Sequence, residues 1–171
     1  MSARETIAPA AVAASVLAWI AALGLELVHQ GLSVAMSLIN RGPAQASMSK
    51  LLAEQGQTPD PALLSAAYTF SVVAMGGLAL VILAVVAWIV GLYRGGKKHS
   101  ATARRVLTYF GMYFGIRAVL LLVASPTNTD IPTVLYAIDG CVQIAVATAA
   151  LLGVSFGLKK ESLKHTGEIA K

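Results

Sequence analysis

Four ionisable side chains lie inside long apolar runs of this sequence, and they are its most promising residues for chemistry. They are Glu26, His29, Arg117 and Asp139. A charged group in hydrocarbon costs several kcal/mol and rarely persists without a partner. Because arginine has a long, flexible stem, Arg117 can reach toward either Glu26 or Asp139. We therefore expect these groups to meet in one polar cluster within a helical bundle.

Neutral polar residues are expected to support this cluster, and two interpretations of it stay open. The supporting residues are Gln30, Tyr68, Tyr113 and Gln143. In the structural interpretation, the arginine and the carboxylates pair helices in register. In the functional interpretation, the two carboxylates and the arginine leave one negative charge, which the histidine balances when it is protonated, so that the cluster is a proton or ion site.

The sequence gives little support for a metal site or a bound cofactor. Glu26 and His29 have the Glu-x-x-His spacing, which places a carboxylate and an imidazole on one helix face. A di-iron bundle needs this pair twice, and the sequence contains it once. The remaining histidines, His99 and His165, lie outside the apolar runs, so no second ligand is available within them for haem. We predict no metal and no cofactor, and no catalytic motif of a known enzyme class is present.

The elements that must position these residues are four apolar runs, each near or above the roughly 20 residues needed to cross a hydrocarbon core. Hydrophobic residues make up 57% of the 171 and charged residues 12%, and the mean hydropathy is +0.73. The sequence predicts an all-α, polytopic membrane protein with a single integral membrane domain over residues 1–171. The four transmembrane helices are predicted at about 7–39, 62–93, 104–124 and 132–158.

The distribution of basic residues predicts the orientation of these helices. Ten lysines and arginines lie before the first run, between the second and third runs, and after the fourth. Only Arg41 and Lys50 lie in the other two connections. By the positive-inside rule, both termini, the basic connection 94–105 and the tail 159–171 are cytoplasmic. The net charge of +5 therefore reflects topology and anionic lipid, and we predict no nucleic-acid binding.

The first two runs are longer than a bilayer requires. At about 1.5 Å per residue they extend roughly 48 to 50 Å, whereas the hydrocarbon core is about 30 Å thick. The surplus is predicted to project outward as a helical hairpin, closed by the outer connection 40–61. Within that connection, residues 45–55 are expected to form a short amphipathic helix. The first run also fits a secretory signal, but it is longer than such signals are and lacks a clear cleavage site.

Helix packing is predicted from Gly111 and Gly115, which form a G-x-x-x-G motif in the third run. This spacing lets another helix approach closely. We expect close packing within the bundle, and the alternative is a dimer interface.

The sequence as a whole favours a non-enzymatic accessory or scaffold subunit of a larger membrane complex, such as a respiratory or envelope assembly. Small size, sparse chemistry and the projecting hairpin motivate this expectation. Its partners are predicted to be the lipid bilayer and other membrane subunits. The alanine- and valine-rich, lysine-poor runs are typical of GC-rich bacteria, so we expect the bacterial plasma (inner) membrane. The alternatives are a small proton-linked transporter or channel and, less favoured, a metal or haem enzyme.

Overall fold

The computed structural model describes residues 8–58, 60–96, 98–123 and 130–170, and all regular structure within these ranges is helical. Residues 7 and 124, at the outer edges of the predicted first and third helices, lie outside the described ranges. The helices are α1 (Ala10–Ile39), α2 (Arg41–Glu54), α3 (Pro61–Arg94), α4 (Ser100–Leu121), α5 (Thr133–Gly157) and α6 (Lys160–His165).

Three of the helices, α1, α3 and α5, are long and apolar enough to cross a membrane. The chain is therefore a membrane protein. The fourth long helix, α4, has 22 residues but carries Arg104, Arg105 and Arg117, which make it less apolar than the other three. Because it connects α3 to α5, its place in the bilayer decides the number of crossings.

The centre of the bundle is the contact between α1 and α5. The Ser15 hydroxyl donates a hydrogen bond of 2.6 Å to the Gly153 carbonyl, and the Trp19 ring lies directly over the same glycine. A β-carbon at Gly153 would lie 2.7 Å from Trp19 Nε1. The small residues Ala147 and Ala150 of α5 are also buried. Small side chains let the two backbones approach closely, which is how membrane helices gain packing energy without a hydrophobic driving force.

Both glycines of the G-x-x-x-G motif in α4 face α5. A β-carbon at Gly111 would lie 2.4 Å from Val154 Cγ2, and one at Gly115 would lie 3.7 Å from the Leu151 side chain. The motif therefore lies at a helix contact inside the chain, with the closest approach at Gly111.

The long helix α3 packs less closely than its neighbours. Only 11% of its most apolar stretch is buried, against 39% in α1 and 33% in α5. Its buried residues, Val86, Val90 and Tyr93, all belong to its C-terminal half. Toward its N-terminal end a cavity of about 370 Å³ lies between α3 and α1, and Tyr68 reaches across to the Ser37 carbonyl.

The two ends of the bundle are closed differently. At one end, which we call the α2 end, α1 stops at Ile39 and α2 begins at Arg41 after a one-residue turn at Asn40. Helix α3 starts where the Asp60 carboxylate accepts a 2.8 Å hydrogen bond from the Ala62 amide, next to Pro61 in its first turn. At the other end, which we call the α6 end, the short α6 folds back against the bundle.

Helix α2 differs from the expected amphipathic helix. It begins earlier than predicted, with Pro43 in its first turn, and its apolar residues do not gather on one face. Met48 and Leu51 are exposed. A proline near a helix start is tolerated because its missing amide hydrogen would have no partner there, so the turn at Asn40 continues directly into α2.

Candidate functional site

The strongest polar contact inside the apolar region joins Glu26 of α1 to Arg117 of α4. Two parallel hydrogen bonds, of 2.8 Å from Nη1 to Oε1 and 2.5 Å from Nη2 to Oε2, form a bidentate ion pair. The Glu26 side chain is only 5% exposed and that of Arg117 19%. Gln30, one turn along α1, donates a further 2.9 Å hydrogen bond to Glu26 Oε1. The carboxylate is thus both neutralised and hydrogen-bonded.

The guanidinium of Arg117 is also held by an aromatic ring. Its central carbon lies 5.1 Å from the centroid of the Phe114 ring, within the range of a cation–π contact. The Phe114 ring lies 5.4 Å from that of Tyr113 at a tilt of 59°. Arg117 is therefore fixed by groups on its own helix as well as by α1.

A second pair joins the same turn of α1 to α5. His29 Nδ1 lies 2.6 Å from Asp139 Oδ1, and the two side chains are 13% and 9% exposed. The other carboxylate oxygen of Asp139 accepts a 2.7 Å hydrogen bond from Gln143, one turn along α5. Glu26 and Asp139 therefore each have one ionisable partner on another helix and one glutamine on their own.

The structure thus arranges the four predicted residues as two separate pairs. Glu26 and His29 lie on adjacent positions of one helix face, but the first contacts α4 and the second contacts α5. Gln30 donates to Glu26 and Gln143 donates to Asp139. Tyr68 lies farther toward the α2 end, where its hydroxyl donates a 2.7 Å hydrogen bond to the Ser37 carbonyl. Tyr113 is largely exposed.

The division into two pairs separates the two side chains of the Glu-x-x-His motif. The carboxylate and the imidazole, which would have to converge on one metal, are each held by a different residue. Within the described residues, no group of three or more histidine, cysteine, aspartate or glutamate side chains is placed to hold a metal ion. The one cysteine, Cys141, is exposed on α5.

A small cavity of about 140 Å³ lies beside the Glu26–Arg117 pair, between α1, α3 and α4. The pair forms one of its walls together with Gln30 and Tyr113, and apolar side chains form the rest. The ion pair is therefore covered by protein on one side and borders open space on the other.

A further polar cluster, at the α6 end, was not anticipated from the sequence. Glu168 accepts hydrogen bonds of 2.5 Å from Arg104 Nε and 2.8 Å from Arg104 Nη2. It also accepts a 3.1 Å hydrogen bond from Arg105 and a 2.9 Å hydrogen bond from Thr166. Arg104 and Glu168 are both largely buried. The C-terminal segment is thereby fastened to the start of α4.

These contacts change the acidity of the Glu168 carboxyl. The hydrogen bonds from Arg104, assisted by those from Thr166 and Arg105, lower its pKa from 4.5 to about 2 against a smaller opposing effect of burial. The same segment is held by Ser162, whose hydroxyl donates 2.8 Å to the Phe156 carbonyl. The His165 ring covers Gly96, whose φ of +59° is a conformation that favours glycine.

The sequence contained one signal for this cluster. Glu168 is an acidic residue in a tail rich in lysine, and Arg104 and Arg105 are adjacent at the start of α4. Because 64 residues separate Arg104 from Glu168, the pairing depends on the way α4, α5 and α6 pack and cannot be found from spacing.

Comparisons with known proteins add no identity to this geometry: no family model, no curated protein and no solved structure matches the chain. Its function must therefore be inferred from its own residues.

Proposed function

We propose that the chain is a non-enzymatic accessory or scaffold subunit of a larger complex in a bacterial plasma membrane. In this proposal α4 is a fourth membrane span, both termini and the connection 94–105 are cytoplasmic, and the α2 end faces outward. The excess of basic residues on the α6 side supports this orientation. The pairing of Arg117 with Glu26 supports the crossing of α4, because the arginine then enters the bilayer with its charge compensated.

The lengths of α1 and α3 connect the proposed topology to the proposed function. Helix α3 has 34 residues and extends about 51 Å, whereas a hydrocarbon core is about 30 Å thick. If Arg94 lies at the cytoplasmic boundary, the N-terminal dozen or so residues of α3 project beyond the opposite boundary. The corresponding part of α1 projects with them, and α2 closes the two helices into a hairpin.

The projecting hairpin exposes large apolar side chains, and this is the observation on which the proposed function rests. Leu63 is 68% exposed and Phe70 75% exposed on α3, and Leu51 is 60% exposed on α2. Within a bilayer such residues would face lipid. Beyond it they face water, where an extended exposed apolar surface marks a protein-interaction site. The hairpin is therefore suited to docking another membrane subunit.

The buried ion pairs of the chain also support a structural role. Both buried carboxylates are paired, Glu26 with Arg117 and Asp139 with His29. These contacts fix α1 against α4 and against α5. Ion pairs of this kind favour a rigid scaffold that presents its hairpin in a fixed direction.

The test is purification of the tagged chain from its own membranes in a mild detergent, followed by quantification of the chains that accompany it. We expect a partner at fixed stoichiometry. The double variant Leu63→Ser and Phe70→Ser should lose that partner while remaining folded. Ile169→Ser, which changes an exposed apolar residue at the opposite end, is the matched control and should retain it. A chain that purifies alone from native membranes would overturn the proposal.

A small proton-linked transporter is the second candidate function, and one observation favours it. The His29–Asp139 pair brings two titratable groups to 2.6 Å near the α2 end, one turn from the ion pair that borders the 140 Å³ cavity. Histidine and carboxylate side chains in contact inside a membrane span are the groups from which proton relays are built.

This candidate is tested by proton movement into vesicles that contain the purified chain and a pH-sensitive dye. A transporter should acidify or alkalinise the vesicle interior, and Asp139→Asn should abolish this flux. Glu161→Gln removes an exposed carboxylate at the opposite end and should have no effect. Vesicles indistinguishable from protein-free vesicles would eliminate the transporter.

A further inference from the structure

Two of the cavities along the cleft between α1 and α3 share part of their lining, and we refer to them together as the groove. The first, of about 370 Å³, lies between the halves of α1 and α3 nearest the α2 end. The second is the 140 Å³ cavity beside Arg117, where α4 forms the third wall. Both cavities are lined by Gln30 and Ala79, so they meet at these residues. Their combined size falls in the range of small-molecule sites, about 300 to 1,000 Å³.

The groove changes character along its length. Near the α2 end its wall carries hydroxyl groups, whereas toward the middle of the bundle it becomes apolar apart from the paired Glu26 and Arg117 and the neighbouring Gln30 and Tyr113. The hydroxyl-bearing residues are Ser33, Ser37, Tyr68 and Ser71. The apolar residues at the other end are Ile82, Leu83, Val86, Phe110 and Phe114. A ligand that fits both ends must have a polar head and an apolar chain.

The hydrogen bonds already made by the hydroxyl groups determine what kind of head can bind. Ser37 donates its hydroxyl hydrogen to the Ser33 carbonyl, Tyr68 to the Ser37 carbonyl and Ser71 to the Tyr68 carbonyl. A hydroxyl has one hydrogen to donate and two lone pairs to accept with. Because these three hydrogens are used, the three oxygens offer acceptors to the groove. The complementary ligand head is therefore one that donates hydrogen bonds.

The charged residues of the groove further limit the kinds of head group that can bind. No lysine or arginine lines the 370 Å³ cavity, and Arg117 in the adjoining cavity is occupied by Glu26 through both of its terminal nitrogens. A phosphate head would find no free cation here. A quinone head, which only accepts hydrogen bonds, would find the hydroxyl hydrogens of Ser37, Tyr68 and Ser71 already used. It would have to turn to Ser33, to the second amide hydrogen of Gln30 or to the buried Arg117 Nε, which has no hydrogen-bond partner among the described residues.

We infer that the groove between α1, α3 and α4 binds a lipid whose head is uncharged and rich in hydroxyl groups, such as a glycosyl glycerolipid. The head lies among Ser33, Ser37, Tyr68 and Ser71, and an acyl chain runs past Ala79 toward Phe110. In the membrane placement proposed above, Tyr68 and Ser71 belong to the projecting part of α3, so the hydroxyl-lined end lies just beyond the outer hydrocarbon boundary and the apolar end within the outer leaflet. A lipid of the outer leaflet has the same orientation, with its head at the membrane surface and its acyl chains toward the middle of the bilayer.

The test uses the full chain, purified in a detergent without a sugar head and reconstituted in nanodiscs with the same lipids in both leaflets. The discs contain equal amounts of a glucosyl diacylglycerol, a diacylglycerol, phosphatidylglycerol and a prenylated quinone. Lipids that stay bound after gentle release of the protein are counted by native mass spectrometry. Retention of glucosyl diacylglycerol above the other lipids is the expected result. Preferential retention of diacylglycerol, which carries a single hydroxyl, would overturn the inference, because the head would then not need to be rich in hydroxyl groups.

Two variants test whether the retained lipid binds in the groove. The triple variant Ser33→Ala, Ser37→Ala and Ser71→Ala removes three hydroxyls without introducing bulk, and it should lower retention at least about tenfold, because each lost hydrogen bond contributes a small but additive share. Ala79→Phe fills the junction of the two cavities and should also abolish retention. The matched control is Thr148→Ala with Ser155→Ala, whose hydroxyls also bond to carbonyls of their own helix but lie exposed on α5.

Preference for phosphatidylglycerol or the quinone, equal retention of all four lipids, or retention of none would each overturn the inference. An equal loss in the control variant would do the same. Because both leaflets have one composition, an inverted topology would not change the result. The proposed partner is absent from the discs, so failure of the scaffold proposal would not change it either.

Discussion

Among single residues, Arg117 has the largest consequence for stability, because its removal leaves the Glu26 carboxylate buried without a counter-charge. We expect Arg117→Leu to destabilise the folded chain by about 3 to 5 kcal/mol, the usual cost of breaking one side of a buried pair. The measurement is thermal unfolding of the purified protein in detergent, together with its yield in the membrane.

The double variant Glu26→Leu with Arg117→Leu separates loss of the pair from loss of packing. It removes both charges and should recover most of the stability, since apolar replacement of a whole buried pair is often nearly neutral. Arg105→Leu is the control, because that side chain is 66% exposed and its removal should cost about 0 to 1 kcal/mol. A single variant as stable as the control would contradict the burial of the pair.

The pKa of Glu168 makes attachment of the C-terminal segment depend on pH. Because the pKa in the folded protein is lower than the ordinary value of 4.5, the stabilisation is fully present above pH 4.5 and is lost as pH falls toward about 2. We expect Glu168→Gln to release α6 at neutral pH, seen as faster tryptic cleavage after Lys160 and Lys164. Glu161→Gln, which changes an exposed carboxylate in the same segment, should leave the cleavage rate unchanged.

At the scale of elements, the contact between α4 and α5 depends on the absence of a side chain at Gly111. A β-carbon there would lie 2.4 Å from Val154 Cγ2, and a valine on a helix has little freedom to move away. Gly111→Ala should therefore destabilise the protein by about 1 to 3 kcal/mol, measured by thermal unfolding.

Two further variants test the same contact. Adding Val154→Ala to the Gly111 variant should restore most of the stability, because it removes the methyl group that clashes. Gly115→Ala should be tolerated, because its β-carbon would lie at an ordinary distance of 3.7 Å from Leu151. If Gly111→Ala changed only the oligomeric state, the motif would act between chains instead.

The elements differ in how far the sequence could predict them. The ends of α3 follow from local chemistry, since Asp60 and Pro61 favour a helix start and Gly95 with Gly96 a stop. Helix α2 was predicted at residues 45–55 and lies at Arg41–Glu54, so it begins earlier than predicted, and its apolar residues do not form the expected single face. The approach of Trp19 to Gly153 depends on the relative rotation of two helices, which no local pattern specifies.

The candidate site could likewise be predicted only in part. The identities of Glu26, His29, Arg117 and Asp139 could be selected because ionisable groups in apolar helices are costly and therefore rare. Their pairing could not, because Arg117 can reach carboxylates on two helices and the choice depends on which helix faces α4. Glu168 was missed for a related reason: a single glutamate in a polar tail is unremarkable until its partner is known.

For the whole molecule, the number of crossings is decided by α4. If it spans the membrane, the α2 connection lies on one side, and both the basic connection 94–105 and the C-terminal segment lie on the other. If it does not, the C-terminal segment lies on the same side as the α2 connection, because α5 then crosses back alone.

This difference can be measured by labelling single cysteines with an impermeant reagent, after Cys141→Ala has removed the native thiol. We expect a cysteine at Gln57 to be labelled in intact cells, and cysteines at Lys98 and Ile169 to be labelled only after permeabilisation. Labelling of the position 169 cysteine in intact cells together with that at position 57 would indicate three crossings.

The Glu26–Arg117 pair also has a consequence for biosynthesis, because its members are 91 residues apart. At about 5 to 20 residues per second, translation completes the glutamate roughly 5 to 20 s before the arginine. During that interval the nascent first helix carries an unneutralised acid toward hydrocarbon. The insertion machinery must therefore shelter the Glu26 side chain until α4, which carries Arg117, has been translated.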